Sequence, residues 1–231
     1  MAANEPIPPS PPGVVVVAAP GELWRIATTD NDLRFAEIDP ITAAGPGGNR
    51  YDVPGGGVLY ASSVVRGCFA ETLARYRVDL SSPVAIAAAK DTGFMPPGNL
   101  AASWREDRRK FTIGVIDALP FVDIEHEHTR SAMERELPLV LARFDLDHLD
   151  VPTVRGADRR LTRALAEWSY TRTDEQGRPL YSGIRYMSKH GNYECWAIFA
   201  GTKVELCAAE SIEKCDIDLR AVANTFNLTI H

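Results

Sequence analysis

Cysteine is scarce in this 231-residue chain: Cys68, Cys195, Cys207 and Cys215 are all there is, and no two stand at CxxC spacing. That excludes a zinc ribbon and a disulfide-stapled scaffold, and points to four reduced thiols in the cytoplasm. Long apolar runs are missing too. The N-terminal run Val14 to Ala19 is far shorter than the roughly 20 residues that span a bilayer. Its leader carries Glu5 and several prolines and lacks the basic n-region of a secretory signal. There is no excess of positive charge: 25 Lys and Arg stand against 31 Asp and Glu, a formal net charge of −6. Direct binding to nucleic acid is therefore not expected, because that affinity comes mainly from neutralising phosphates. A few arginines can still converge on a small anion while the rest of the surface stays acidic.

Several familiar motifs are also missing. The glycines around Gly45–Gly48 and Gly55–Gly57 are not followed by the Gly-Lys-Ser/Thr of a Walker loop. No GxGxxG opens a helix and no GxSxG elbow presents a serine nucleophile. His126-Glu127-His128 offers two imidazoles beside Asp123 and Glu125, but no third histidine or cysteine stands at ligand spacing, so no metal is expected.

The chain does have the composition of a globular domain, with 45% hydrophobic and 24% charged residues. Residues 1–20 form a Pro-rich, partly disordered leader, and residues 21–231 show no linker or repeat, which points to one domain. Leu23–Ile26 and Val58–Ala61 have the look of strands. Ser62 or Ser63 is placed to cap a helix running to about Arg77, with Val65, Phe69, Leu73 and Tyr76 on one face. Lys110–Ile116 and Phe121–Ile124 follow as strands, and Arg130–Arg143 as a helix interrupted by Pro138. Leu161, Leu165 and Trp168 fall at core spacing in a helix over 158–172. Two strands come next, Gly183–Lys189 and Glu194–Ala200. Strands and helices mix without regular βαβ alternation, so the expected class is α+β, with mixed small sheets and flanking helices.

One ordered set of residues carries more information. It comprises Gly47-Gly48-Asn49-Arg50-Tyr51, Gly57-Val58-Leu59-Tyr60-Ala61, Ala70-Glu71 and Gly183-Ile184-Arg185-Tyr186-Met187-Ser188. In this order, with Trp24-Arg25-Ile26 ahead of it, the set resembles the RES-domain family, named for an Arg, a Glu and a Ser. The resemblance covers roughly residues 22–200. This chain has Tyr51-Asp52 where the family often has Trp-Asn, and Met187 where it often has Pro. The segment 79–109 is less recognisable.

The resemblance implies a compact fold similar to ADP-ribosyltransferase toxins and cleavage of the nicotinamide–ribose bond of NAD+. Attack by phosphate would give ADP-ribose 1″-phosphate, and attack by water ADP-ribose, depleting the cell of NAD+. NAD+ is then a substrate, with inorganic phosphate as its co-substrate, and no cofactor is needed. A small helix-turn-helix antitoxin covering the active site is the implied partner; oligomeric state stays open. Two other readings remain: transfer of ADP-ribose to a protein, and a non-catalytic NAD-binding or interaction module.

Each site residue has a physical rationale within that resemblance. Arg25 and Arg50 offer guanidinium forks to a pyrophosphate. Tyr60, and less directly Tyr51, offer an aromatic face to nicotinamide or ribose. Glu71 offers a fixed carboxylate to the oxocarbenium-like charge that builds on the ribose as the glycosidic bond breaks; its plainer alternative is an i,i+4 pair with Arg75. Ser188 is placed to bond a nicotinamide amide or a ribose hydroxyl, or to orient Glu71.

Overall fold

The computed structural model describes residues 12–45, 47–78 and 96–231. Most of the leader (1–11) and part of the less recognisable segment (79–95) lie outside the described residues. The strands are β1 (Val16–Val17), β2 (Leu23–Thr28), β3 (Ala36–Glu37), β4 (Gly57–Ser62), β5 (Asn99–Leu100), β6 (Arg108–Ile116), β7 (Phe121–Asp123), β8 (Gly183–Met187), β9 (Glu194–Phe199), β10 (Lys203–Ser211) and β11 (Thr229–Ile230). The helices are α1 (Pro40–Ala43), α2 (Val65–Leu73), α3 (Ala102–Glu106), α4 (Glu127–Glu136), α5 (Pro138–Arg143), α6 (Val151–Val154), α7 (Arg159–Tyr170) and α8 (Ile217–Phe226).

The fold is mixed α+β. Its main sheet runs β1-β7-β8-β9-β4-β2-β6-β10, with β3 joined to β4, and β5 and β11 form a separate parallel pair. Neighbours in the main sheet are antiparallel except β7 and β8. The sheet takes in chain ahead of Gly21: Val16 and Val17 pair with Val122 and Phe121, and the Val15 amide donates to Thr129 Oγ1 at 3.0 Å. Three apolar clusters clothe it. One packs α4 to α7 against β7, β8 and β9 around Met133, Leu165 and Ile184; a second packs α2, α3 and α8 around Phe69, Trp104 and Leu219; the third lies on β2, β4, β6 and β9 around Leu23, Leu59 and Ile198. No helix among the described residues is long and apolar enough to cross a membrane.

Strands β2 and β4 meet at one residue pair only, Trp24 with Ser62. Beyond it Arg25 reaches across, its Nη1 donating to the Tyr60 carbonyl at 2.9 Å. α2 lies beside this parting of the sheet and approaches β4 closely at Gly67, where an added Cβ would stand 2.3 Å from Ser62 Oγ. The N-cap of α2 is Val64, with no side-chain cap bond. The predicted caps are engaged elsewhere: Ser62 Oγ donates to the Glu194 carbonyl and Ser63 Oγ to Glu194 Oε1. The helix expected over Arg130–Arg143 is two helices, divided where Pro138 opens α5. His126 caps the first of them, its Nδ1 accepting from the His128 amide at 3.2 Å.

Candidate active site

A cleft of about 640 Å³ follows the parting of β2 and β4 along α2, within the usual range for small-molecule sites. Six basic residues line it, Arg25, Arg50, Arg75, Arg108, Arg159 and Lys189, against one carboxylate, Glu71. A chain with net charge −6 thus concentrates positive charge in one concavity, which favours an anionic ligand.

The loop before β4 presents Arg50. Gly48 has φ +68°, and a Cβ there would meet Asp52 Oδ2 and Ile38 Cδ1 at 2.5 Å, so this turn needs glycine. The buried Arg163 of α7 holds the loop from beneath, donating to the carbonyls of Ala43 (2.6 Å), Gly45 (3.0 Å), Gly47 and Asn49 (3.3 Å). Asp52 ties the other side, accepting from the Asn49 amide and from Tyr60 Oη at 2.8 Å.

Arg50 itself is buried, its guanidinium 4.7 Å from the ring centre of Tyr186 and 5.5 Å from that of Tyr51. Its Nη2 donates to the Met187 carbonyl at 3.0 Å and lies 4.0 Å from Glu71 Oε1. The Met187 peptide is gripped at both ends, since its N–H donates to Glu125 Oε1 at 3.0 Å and Glu125 is in turn paired with Arg155. Glu71 projects from α2 between the cleft and Arg50. The expected alternative partner, Arg75, turns away and donates to Tyr76 Oη at 2.9 Å. Among the described residues, polar atoms shielded from solvent without a hydrogen-bond partner include Arg25 Nε, Arg50 Nη1, Glu71 Oε1 and Trp104 Nε1, and, off the cleft, Arg105 Nε. The first four belong to residues lining this cleft. Buried polar atoms are seldom left unpaired in a structural network, so the cluster marks a site with binding capacity unspent within the protein.

The structure places two of the expected contact residues off the wall of this cleft. Tyr51 is fully buried, donates its hydroxyl to the Val154 carbonyl at 2.9 Å and does not line the cleft. Its apolar surroundings explain this: it supports Arg50 from the core side. Ser188 is 2% exposed and also lies off the cleft wall. Its Oγ accepts the His190 amide at 3.0 Å while its own amide donates to the Tyr193 carbonyl at 2.8 Å. Ser188 therefore shapes the turn that carries Lys189 and His190 into the cleft. Arg25 and Tyr60 do line it, with the Tyr60 ring facing inward and its hydroxyl committed to Asp52 and to the Tyr51 amide at 3.1 Å.

Burial, and then the neighbouring Asp52, push the Tyr60 phenol well above its ordinary value, keeping it a neutral donor. Burial likewise holds His190 below the ordinary imidazole value, with Glu71 opposing, and lowers Lys189 together with Arg50 and Arg159. Cys68 and Cys195 both line the cleft as protonated thiols; burial, then Glu71, pushes Cys195 up to about 12. Neither has the environment of a nucleophilic thiolate.

Sequence reasoning missed Lys189, His190, Arg159, Trp104 and Arg108. They arrive by tertiary placement; only the alternation that put Tyr186 on one face of β8 gave a local signal for this wall.

No curated protein matches the chain. Among solved structures, a chain of the M. tuberculosis MbcT–MbcA toxin–antitoxin complex aligns over 94% of this chain and 93% of its own length, with a TM-score of 0.50 at 15% identity. That likeness is one of fold. The sequence itself is matched by the family model of the RES domain over residues 22–220. A match that takes in the loop of Arg50, the helix of Glu71 and the turn of Ser188 after β8 makes this chain a member of the RES-domain family.

Proposed function

We propose that the protein binds NAD+ in this cleft and breaks its nicotinamide–ribose bond, acting as an NAD+-depleting toxin. The observation that carries the proposal is the placement of one carboxylate, Glu71, 4.0 Å from a stacked and buried Arg50 within a cleft whose other charged lining residues, among those described, are cations. A dinucleotide needs both: guanidinium forks for its pyrophosphate, and a negative group where positive charge develops.

In this reading the electron pair of the C1″–N bond leaves with nicotinamide, whose ring nitrogen becomes neutral. The positive charge passes to the ribose, where Glu71 stabilises it. Arg50 fixes the Glu71 carboxylate and offers Nη1 to a phosphate oxygen. Tyr60 supplies a rigid wall for the ring. Phosphate or water then attacks C1″, giving ADP-ribose 1″-phosphate or ADP-ribose; the excess of cations favours phosphate. We take the α+β arrangement to be that of ADP-ribosyltransferase toxins, which act on the same bond. By analogy with the MbcT–MbcA complex, the partner is an antitoxin protein that shields the cleft.

Incubating the purified protein with NAD+, with and without phosphate, and separating the products by chromatography tests this. Glu71→Gln is expected to lower nicotinamide release at least 10³-fold while the circular dichroism spectrum stays unchanged. Label retained on protein would move the function to ADP-ribosyl transfer. NAD+ binding without turnover would leave a binding module.

A further inference from the structure

The cleft holds more cationic capacity than a pyrophosphate uses, and it is divided. Arg50, Arg159 and Lys189 gather on one side, near Asn49 and the turn after β8. On the other side, at the C-terminal end of α2, stand Arg75 and Arg108 with Trp104. Arg75 is four residues beyond Glu71, in the 3-10 turn Ala74–Tyr76 that continues α2, about 6–7 Å along the axis. Arg108 opens β6 and pairs in register with Thr28, the last residue of β2, which lines the same end.

Both arginines are preorganised on aromatic rings. The Arg108 guanidinium lies 5.2 Å from the Trp104 ring centre and donates Nη1 to the Trp104 carbonyl at 3.2 Å. That of Arg75 lies 4.9 Å from the Tyr76 ring centre and donates Nη2 to the Tyr76 hydroxyl. Neither has a carboxylate partner among the described residues. Each keeps N–H groups for a further acceptor, and a stacked fork loses little freedom when it binds one. Trp104 is 4% exposed, and its indole N–H, the third donor at this end, has no acceptor among the described residues. Arg75 is exposed and Arg108 half-buried; two stacked forks open to solvent beside an unspent buried donor are the chemistry of a phosphate site.

We infer that Arg75, Arg108 and Trp104 form a second anion subsite that takes a phosphate dianion, separate from the pole around Arg50. The inference rests on the NAD+-cleaving reading for its setting but not for its test. The dianion has two possible sources, a 2′-phosphate on the adenosine ribose of the dinucleotide or free orthophosphate serving as acceptor.

Calorimetry on the full chain separates them without requiring turnover. Adenosine 2′,5′-bisphosphate, 5′-AMP and orthophosphate are titrated into the native protein, Arg108→Gln, Arg75→Gln and Arg108→Lys, with thermal melts confirming that each variant is folded. If the source is the 2′-phosphate, the bisphosphate binds the native protein at least tenfold tighter than 5′-AMP, and Arg108→Gln removes that margin. If it is orthophosphate, Arg108→Gln weakens orthophosphate binding at least tenfold and leaves 5′-AMP unchanged. Arg108→Lys, which keeps the charge but not the fork, falls between native and Gln in either case. Glutamine variants that bind all three ligands as the native protein does overturn the subsite. Failure of the native protein to release nicotinamide would instead overturn the NAD+ reading and leave these titrations interpretable.

Discussion

Arg163 offers a sharp test of how the active-site loop is held. Its side chain is 2% exposed and its guanidinium donates to four backbone carbonyls, those of Ala43, Gly45, Gly47 and Asn49. Replacing it with Met keeps most of the buried volume and removes every donor. Hydrogen bonds to a charged group contribute about 1.5–3 kcal/mol each when deleted singly. The four are not additive: they share one donor group, and carbonyls of a surface loop recover some bonding from water. Leaving two of the four unsatisfied costs about 3–5 kcal/mol, a large fraction of the stability of an ordinary domain. Urea denaturation should show that loss as a lower midpoint with an unchanged slope. The loop also carries Arg50, so kcat/KM for NAD+ should fall more than the folded fraction alone accounts for. Arg163→Lys should recover little of either, since an ammonium cannot span four divergent carbonyls. A loss below 1 kcal/mol for Arg163→Met, with catalysis unchanged, would refute the claim that this residue organises the loop.

Three further outcomes are expected. Tyr60→Phe removes the hydroxyl that donates to Asp52 and accepts from the Tyr51 amide; it should cost about 1–3 kcal/mol in denaturant unfolding but reduce kcat/KM less than tenfold, because the ring wall remains. Ser188→Ala deletes the acceptor of the His190 amide, so that amide should exchange with deuterium faster and KM for NAD+ should rise more than kcat falls. Lys110 ties β6 to Asp216, the N-cap of α8, at 2.8 Å. Burial works to raise the Asp216 carboxyl, but Lys110 and the amides of Leu219 and Asp218 outweigh it and hold it below 3.8. A depressed carboxylate stabilises the fold above its unfolded value and loses that contribution as pH falls through the folded one. Stability should therefore drop below about pH 4, and Lys110→Met should flatten that part of the profile.

Much of the fold is visible in the sequence where one physical signal dominates. The stripe Leu161, Leu165, Trp168 predicts α7, and all three are buried in the structure. Pro138 predicts a break and supplies one, because proline is accepted at the first turn of a new helix. β10 gave only a short signal: Lys203–Ser211 is almost entirely exposed, its alternation stops after Lys203-Val204-Glu205-Leu206, and the strand is held mainly by its ladder to β6. α8 carries a start signal in Asp216, whose carboxylate accepts from the amides of Asp218 and Leu219. At the site, the order of Arg50, Tyr60 and Glu71 along the chain shows which loop and helix to inspect. It does not separate Tyr51 from Tyr60, since the two are distinguished only by which side of Arg50 each ring occupies. Lys189 and His190 reach the cleft through a turn fixed by one serine hydroxyl, a detail without a periodic signature.

The site also has a consequence for synthesis. Arg50 is held by a carbonyl 137 residues later in the chain, and β4 gains its long antiparallel partner only when Glu194–Phe199 is available. A ribosome that has released the arginine and the glutamate has therefore not yet made a working cleft. Long-range strand pairing is slow to form, and here it stands last in line, so the cleft is complete only when nearly the whole chain has emerged. The activity proposed above would therefore belong to the finished molecule alone.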